Sequence, residues 1–188
     1  MRVGGAVLTG GRSSRMGVDK ALLLVDGVPM AERVASALQE AGCEPVILVG
    51  GDTTPLDALG HRVVPDLVPG RRGPVAGIHA ALSELTDECD AVVVAACDLP
   101  DLHSAVVERL VQAAAAAREF PAAVVAHTGR REPLCVLWNT SCAPVLARRL
   151  EGQDPSVMEV LDGLAEVLEV SATPEHLRNV NTPSDVRR

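Results

Sequence analysis

The sequence predicts a single α/β domain over residues 1–188, with a mostly parallel sheet and helices on both faces. Three observations lead there. Strand-like and helix-like runs alternate along the whole chain, with no repeat, low-complexity linker or break in composition. The run Ala91–Ala96 is continuously apolar, as expected of a strand buried on both faces. The first strand also leads straight into a segment rich in glycine, arginine and lysine, and open α/β sheets bind ligands at that edge.

The elements follow in order. Val3–Leu8 is an apolar run and the first strand. Pro29–Ala41 places Met30, Val34, Ala37, Leu38 and Ala41 at helical spacing, and Gly42 closes the helix. Pro45–Val49 is a β-branched strand ended by Gly50-Gly51; a helical turn at Leu56–Leu59 and a short strand at Arg62–Pro65 come next. Pro74–Leu85 is a helix with proline in its first turn. After Ala91–Ala96, the alanine-rich Ser104–Arg118 has strong helix propensity. Strands at Ala122–His127 and Glu132–Trp138, helices at Cys142–Leu150 and Ser156–Leu161, and a last strand at Val167–Val170 complete the pattern.

Composition narrows the function. Apolar residues make up 47% of the chain, enough for a real core, but only 1% are aromatic, so that core is valine, leucine and alanine. The lack of aromatics argues against stacking platforms for single-stranded nucleic acid. With 17 basic and 25 acidic residues the net charge is −8, which disfavours general binding to nucleic acid or an anionic membrane. The five cysteines (Cys43, Cys89, Cys97, Cys135 and Cys142) include no C-x-x-C pair, so they suggest neither a zinc site nor a disulfide framework. Small buried hydrophobes in a reducing cytoplasm are the expectation. With the first strand beginning at Val3, no signal peptide is expected, and no apolar run is long enough to cross a membrane.

The segment Leu8-Thr9-Gly10-Gly11-Arg12-Ser13-Ser14-Arg15-Met16-Gly17-Val18-Asp19-Lys20 has the chemistry of a phosphate cradle. Glycine lets backbone N–H groups approach an oxyanion, and Arg15 and Lys20 supply positive charge. The spacing matches neither the G-x-x-x-x-G-K-[ST] loop nor G-x-G-x-x-G.

Three further constellations stand out. Asp98, in Cys97-Asp98-Leu99-Pro100, follows the buried strand and reaches the same sheet edge. Two readings fit it equally: a Mg²⁺ ligand, since that ion takes one or two carboxylates plus substrate phosphates, or the cap of a helix near Leu102. Asp66 also follows a strand, and Gly70-Arg71-Arg72-Gly73 leads from it into a helix whose N-terminus suits anionic groups. There the arginines are either phosphate ligands or solvated surface charge. Asn179-Val180-Asn181-Thr182-Pro183 offers donors and acceptors for a substrate or metal shell, or an Asx turn opening a helix at Pro183. The five histidines are scattered without ligand spacing, and His79 sits on a helix face that reads as core.

The glycine segment, together with Gly73-Pro74-Val75-Ala76-Gly77, Cys97-Asp98-Leu99-Pro100 and Asn179-Val180-Asn181-Thr182-Pro183, resembles the MobA-like nucleotidyltransferases. Their ordered motifs are L-x-G-G-x-x-x-R-M-G-x-D-K, G-P-L-A-G, C-D-x-P and N-x-N-T-P. The resemblance runs from residue 3 to residue 187. It implies a three-layer α/β/α Rossmann-like sandwich and GTP- and Mg²⁺-dependent transfer of GMP to the terminal phosphate of molybdopterin, with release of pyrophosphate. It also implies the roles. The backbone of Leu8, Thr9 and Gly10, with Gly11 beside it, contacts guanine and ribose. Arg15 and Lys20 bind phosphates, Asp66 contacts the nucleotide, Asp98 holds Mg²⁺, and Asn179 and Asn181 lie on the pterin side or near the metal. Molybdoenzyme apoproteins are the expected partners. The chain departs from the pattern at Val75, where the family has leucine, and at Val49-Gly50-Gly51-Asp52, where the family has a nucleotide-contacting asparagine. The segment Gly129-Arg130-Arg131-Glu132-Pro133-Leu134 matches the family's pterin-handling region only loosely.

Two other readings stay open at this point. One is a related nucleotidyltransferase using CTP or another phosphorylated acceptor, such as a sugar phosphate or phospholactate. Gly10-Gly11 bears on it, because the cytidine-specific relatives resemble L-A-A-G there. The other is a non-catalytic adaptor that binds nucleotide and delivers a pterin cofactor.

Overall fold

A computed structural model of the chain describes residues 1–10, 20–51, 53–65, 73–152, 154–181 and 185. The elements are β1 (Val3–Leu8), β2 (Leu24–Val25), β3 (Val28–Pro29), α1 (Met30–Glu40), β4 (Val46–Val49), α2 (Thr53–Asp57) and β5 (Arg62–Val64). They continue with α3 (Gly73–Leu85), β6 (Ala91–Ala96), α4 (Ser104–Ala116), β7 (Ala123–His127), β8 (Arg131–Asn139), α5 (Ala143–Leu150), α6 (Val157–Asp162) and β9 (Val167–Ser171). The main sheet has seven strands in the order β5-β4-β1-β6-β8-β7-β9. Strands β5, β4, β1 and β6 are parallel neighbours, as are β7 and β9; β8 alone runs antiparallel, to both β6 and β7. Its reversal follows from the short link after β7, where Thr128 N donates to the Arg130 carbonyl at 2.9 Å and Gly129 takes φ 97°.

The alternation of side chains along each strand divides the core in two. Val3 and Val7 of β1, Val93 and Ala95 of β6 and Val124 of β7 pack against α1 and α4 on one face. Ala6 and Leu8, Val92 and Val94, and Val125 and Trp138 pack against α3, α5 and α6 on the other. This is the expected three-layer sandwich. Two glycines at the start of β1 let the layers close. A Cβ on Gly5 would lie 3.2 Å from the Leu38 Cβ of α1, and one on Gly4 would lie 2.8 Å from Leu85 Cδ1 of α3.

Trp138 is the largest fully buried side chain and belongs to the core under α5 and α6. Trp138→Ala is expected to lower stability by about 3–5 kcal/mol, measured by urea unfolding. All five cysteines are buried thiols outside any disulfide, as the composition suggests. Burial pushes the Cys43 and Cys135 thiols up to about 12, so they stay protonated and unreactive. Among the described residues no helix is long and apolar enough to cross a membrane.

His79 lies on α3 with Nε2 3.3 Å from Ser83 Oγ and a buried Nδ1 that has no partner among the described residues. Burial lowers its pKa below the ordinary 6.5. The unfolded chain therefore takes up this proton first as pH falls. Stability contributed by the neutral ring is complete above pH 6.5 and declines below it. Urea unfolding of His79→Leu between about pH 7.5 and about pH 5 should show a shallower acid decline than the unaltered protein. Equal declines would contradict this.

The structure adds a strand pair that the sequence does not announce, the two-stranded β2–β3 hairpin. Its turn is Asp26-Gly27, with φ 51° and φ 82°. Positive φ at both positions is the requirement of the tight turn that an Asp-Gly pair favours. The hairpin forms a third, small core from Val25, Met30 and Val180. Through Val180 the C-terminal segment is tied to the domain. A helix opening at Pro183 falls outside the described residues.

Candidate active site

The site forms where the direction of chain crossing reverses. From β1 the chain passes by α1 to β4 and on to β5 at one edge; it then returns by α3 to β6 on the opposite side of β1. The C-terminal ends of β1 and β6 therefore flank a crevice of the kind that receives ligands in open α/β sheets. Leu8 pairs with Ala96, and Cys97 N donates to the Leu8 carbonyl at 3.1 Å, so Thr9 and Asp98 leave adjacent strands at the same rim.

Thr9 is buried, and its hydroxyl is within 3.0 Å of the Val49 carbonyl and 2.6 Å of the Gly50 carbonyl. Its N–H donates to the Val49 carbonyl at 2.9 Å, and Gly10 N approaches the same oxygen at 3.3 Å. The end of β1 is thus bound to the end of β4, and the loop leaves from a fixed point. With those N–H groups engaged, Thr9 and Gly10 can offer carbonyl oxygens to a ligand.

Lys20 begins a 3₁₀ turn, Lys20–Leu22, at the far side of the glycine segment. Its ammonium donates to Asp98 Oδ2 at 2.9 Å and to Asn181 Oδ1 at 2.8 Å. Lys20 and Asp98 are 17% and 19% exposed, so the pair is shielded from bulk water yet open to a ligand at the rim. Asp98 Oδ1 is buried and, among the described residues, has no hydrogen-bond partner. An acceptor left so exposes a binding requirement rather than a stabilising contact, because burial without a partner costs about 1–3 kcal/mol. The structure also decides against the capping role for Asp98. The cap of α4 is His103, whose Nδ1 accepts from Ala105 N at 3.2 Å.

Asn181, 161 positions from Lys20 in sequence, thus meets the cation from the early loop. Val180 N donates to the Asp98 carbonyl at 2.9 Å, which lays the C-terminal segment on the turn after β6. Asn179 is exposed and, among the described residues, makes no hydrogen bond to this cluster. Gly11, Arg15, Asp66, Arg71 and Arg72 lie outside the described residues. The N-terminus of α3 is met by the chain itself: the Asp154 Oδ1 stands 3.0 Å from the position a Cβ on Gly73 would take. A carboxylate there suits the positive end of a helix.

Sequence reasoning missed three charged residues. Arg33 of α1 donates from Nε to the Pro100 carbonyl at 2.9 Å and faces Asp101 Oδ1 at 3.8 Å. Arg178 donates from Nε and Nη2 to Asp101 Oδ2 at 3.2 and 2.9 Å. Isolated charges on a helix face and in a polar turn carry no motif, so nothing in their spacing could have singled them out.

Comparison with known proteins decides the family. Residues 5–169 match the MobA-like NTP transferase domain. The chain belongs to this family. MobA-like relatives extend over nearly the whole chain. One, a "Probable molybdenum cofactor guanylyltransferase" of Pelotomaculum thermopropionicum, is 36% identical over 196 residues, covering 97% of this chain and 89% of the relative. A "Molybdenum cofactor guanylyltransferase" of Yersinia pestis is 34% identical, covering 96% and 91%. The crystal structure of molybdopterin-guanine dinucleotide biosynthesis protein A from Archaeoglobus fulgidus superposes with a TM-score of 0.75 at 28% identity, covering 100% of this chain and 95% of that one. A manganese complex of Rv0371c from Mycobacterium tuberculosis shares the fold, with a TM-score of 0.76 at 21% identity over 99% and 96% of the two chains. The protein is a MobA-like nucleotidyltransferase, and the expected fold and enzyme class both hold.

Proposed function

We propose that this nucleotidyltransferase transfers GMP from GTP to the terminal phosphate of molybdopterin, with or without molybdenum, to form the guanine dinucleotide cofactor. The observation that carries the proposal is the Lys20–Asp98–Asn181 cluster at the crevice between β1 and β6. It joins a cation, a carboxylate whose buried oxygen has no partner among the described residues, and an amide at one rim. The relatives' names supply the substrate class.

The residues fit a divalent cation. Asp98 Oδ1 is the free acceptor, Asp98 Oδ2 and Asn181 Oδ1 already hold positive charge from Lys20, and Mg²⁺ needs only one or two carboxylates beside substrate phosphates. Asp98 is the residue that holds it; when bound, Mg²⁺ neutralises charge on the triphosphate. The backbone of Leu8, Thr9, Gly10 and Gly11 receives guanine and ribose. Carbonyl oxygens at Thr9 and Gly10 suit guanine, whose N1–H and exocyclic amine are donors. Arg15 and Lys20 bind the phosphates, Asp66 contacts the nucleotide, and Asn179 and Asn181 face the pterin substrate or the metal.

The acceptor's phosphate oxygen attacks the α-phosphorus of GTP, the bond from that phosphorus to the β-phosphate oxygen breaks, and pyrophosphate leaves with the electron pair. The nucleophile is already anionic, so no general base is required. Alignment and charge neutralisation suffice. The same reading places the enzyme in the cytoplasm and has it hand its product to molybdoenzyme apoproteins. Turnover with GTP against CTP tests the nucleotide. Faster use of GTP is expected; faster use of CTP would overturn the guanylyl assignment and favour a cytidylyl enzyme.

A further inference from the structure

We propose that Arg178 is a positioning residue: paired with Asp101, it seats the C-terminal segment so that Asn181 fixes Lys20 against Asp98. The inference rests on the reading of this cluster as the phosphate and metal site, and it adds a residue outside every motif that defined the site.

The geometry is a brace with Asp101 at its centre. Asp101 lies three residues after Asp98, inside the turn that Leu102 N closes on the Leu99 carbonyl at 3.0 Å. Its Oδ2 accepts from Arg178 Nε and Nη2 at 3.2 and 2.9 Å, and its Oδ1 faces Arg33 at 3.8 Å. Arg33 reaches on to the Pro100 carbonyl at 2.9 Å and to Asp26 of the β2–β3 turn at 3.5 Å. The turn carrying Asp98 is thus gripped from α1 on one side and from the C-terminal segment on the other.

Arg178 also spans the segment it belongs to. Its Nη1 donates to the Asp185 carbonyl at 3.0 Å, and Asp185 Oδ2 accepts from Asn181 N at 3.0 Å. Val180, between them, is fully buried against Val25 and Met30 and donates its N–H to the Asp98 carbonyl. Val180 fixes one point of the segment. Arg178 fixes its direction, because it ties the Asp101 turn to residue 185, and Asn181 lies inside that span. The amide of Asn181 can then reach the ammonium of Lys20 at 2.8 Å.

Arg178 and Asp101 are 40% and 29% exposed, a setting in which an ion pair adds little to global stability. A positioning role is therefore separable from a structural one. Residues that orient a metal-site ligand typically change affinity or activity about ten- to a hundredfold.

The test reads Lys20 directly. Limited labelling of lysine amines with acetic anhydride, quantified by mass spectrometry, is run on the full chain, on Arg178→Gln and on Arg178→Lys. Lysine-20 labelling is expected to rise severalfold in Arg178→Gln and to return part-way in Arg178→Lys, while thermal unfolding of all three stays within about 3 °C. In parallel, kcat/KM for GTP should fall about tenfold in Arg178→Gln. Adding Asp101→Asn to Arg178→Gln should bring no further loss beyond the worse single variant, as for two members of one pair. Unchanged labelling in Arg178→Gln overturns the inference. So does a rise that accompanies a general loss of stability and is not reversed by lysine. If the unaltered protein fails to use GTP, the assignment of GTP falls, while the labelling still decides the role of Arg178.

Discussion

Asp98→Asn is expected to lower turnover on the order of 10²–10³-fold while leaving the fold intact. The substitution keeps the side chain's size and one acceptor oxygen, so packing in the turn after β6 is preserved. It removes the charge that holds Lys20 at 2.9 Å and converts one of the two oxygens into a donor. On the proposed reading the buried Oδ1, which has no partner among the described residues, is the acceptor that meets the cation, and an NH₂ group there cannot serve. Nucleotide binding without metal should change little, because the proposed grip on the triphosphate comes from Lys20 and the glycine segment. Turnover and fluorescent-GTP binding measured side by side check this. Undiminished turnover would remove Asp98 from the mechanism.

Lys20→Met is expected to weaken GTP binding about ten- to a hundredfold, the usual range for loss of a charge-assisted hydrogen bond of about 1.5–3 kcal/mol. It should have a second, opposite effect. In the free protein Lys20 satisfies Asp98 Oδ2 and Asn181 Oδ1 at once. Without it both oxygens turn to the ligand, and Asp98 keeps an uncompensated charge. Mn²⁺ should therefore bind more tightly to the nucleotide-free variant than to the unaltered protein, as read by the loss of the free-ion electron paramagnetic resonance signal. A variant that loses both nucleotide and Mn²⁺ affinity would show that Lys20 supports the site's folding rather than supplying its charge.

Much of this architecture is legible in local sequence pattern. The buried strands β1 and β6 are apolar runs with nothing polar to place at a water-facing surface, α1 carries a regular stripe and α3 a proline in its first turn; all four sit where pattern puts them, within a residue or so at each end. The β2–β3 hairpin went unread: Asp26-Gly27 lies between short apolar pairs, but two-residue strands are too brief for a period to show. Within the site, Lys20 and Asp98 each followed from a strand end. Their contact with Asn181 did not, since no local rule joins residues 161 positions apart; only the ordered motifs hinted at it. Asp98 illustrates the limit most clearly. Metal ligand and helix cap are equally good readings of an aspartate before a helix, and it took the His103 cap to separate them. Arg178, Asp101 and Arg33 had no signal at all, because a brace between partly buried charges is made by the fold rather than by spacing.

In the proposed reaction one rim grips a triphosphate so that its α-phosphorus, and not its γ-phosphorus, meets an anionic acceptor. The direct measurement uses GTP labelled with ³²P at the α or the γ position, with Mg²⁺ and molybdopterin. The α-label should pass into the dinucleotide product in equal yield with unlabelled pyrophosphate, and the γ-label should leave in pyrophosphate. Release of the γ-label as orthophosphate, or its appearance on the acceptor, would contradict the claim.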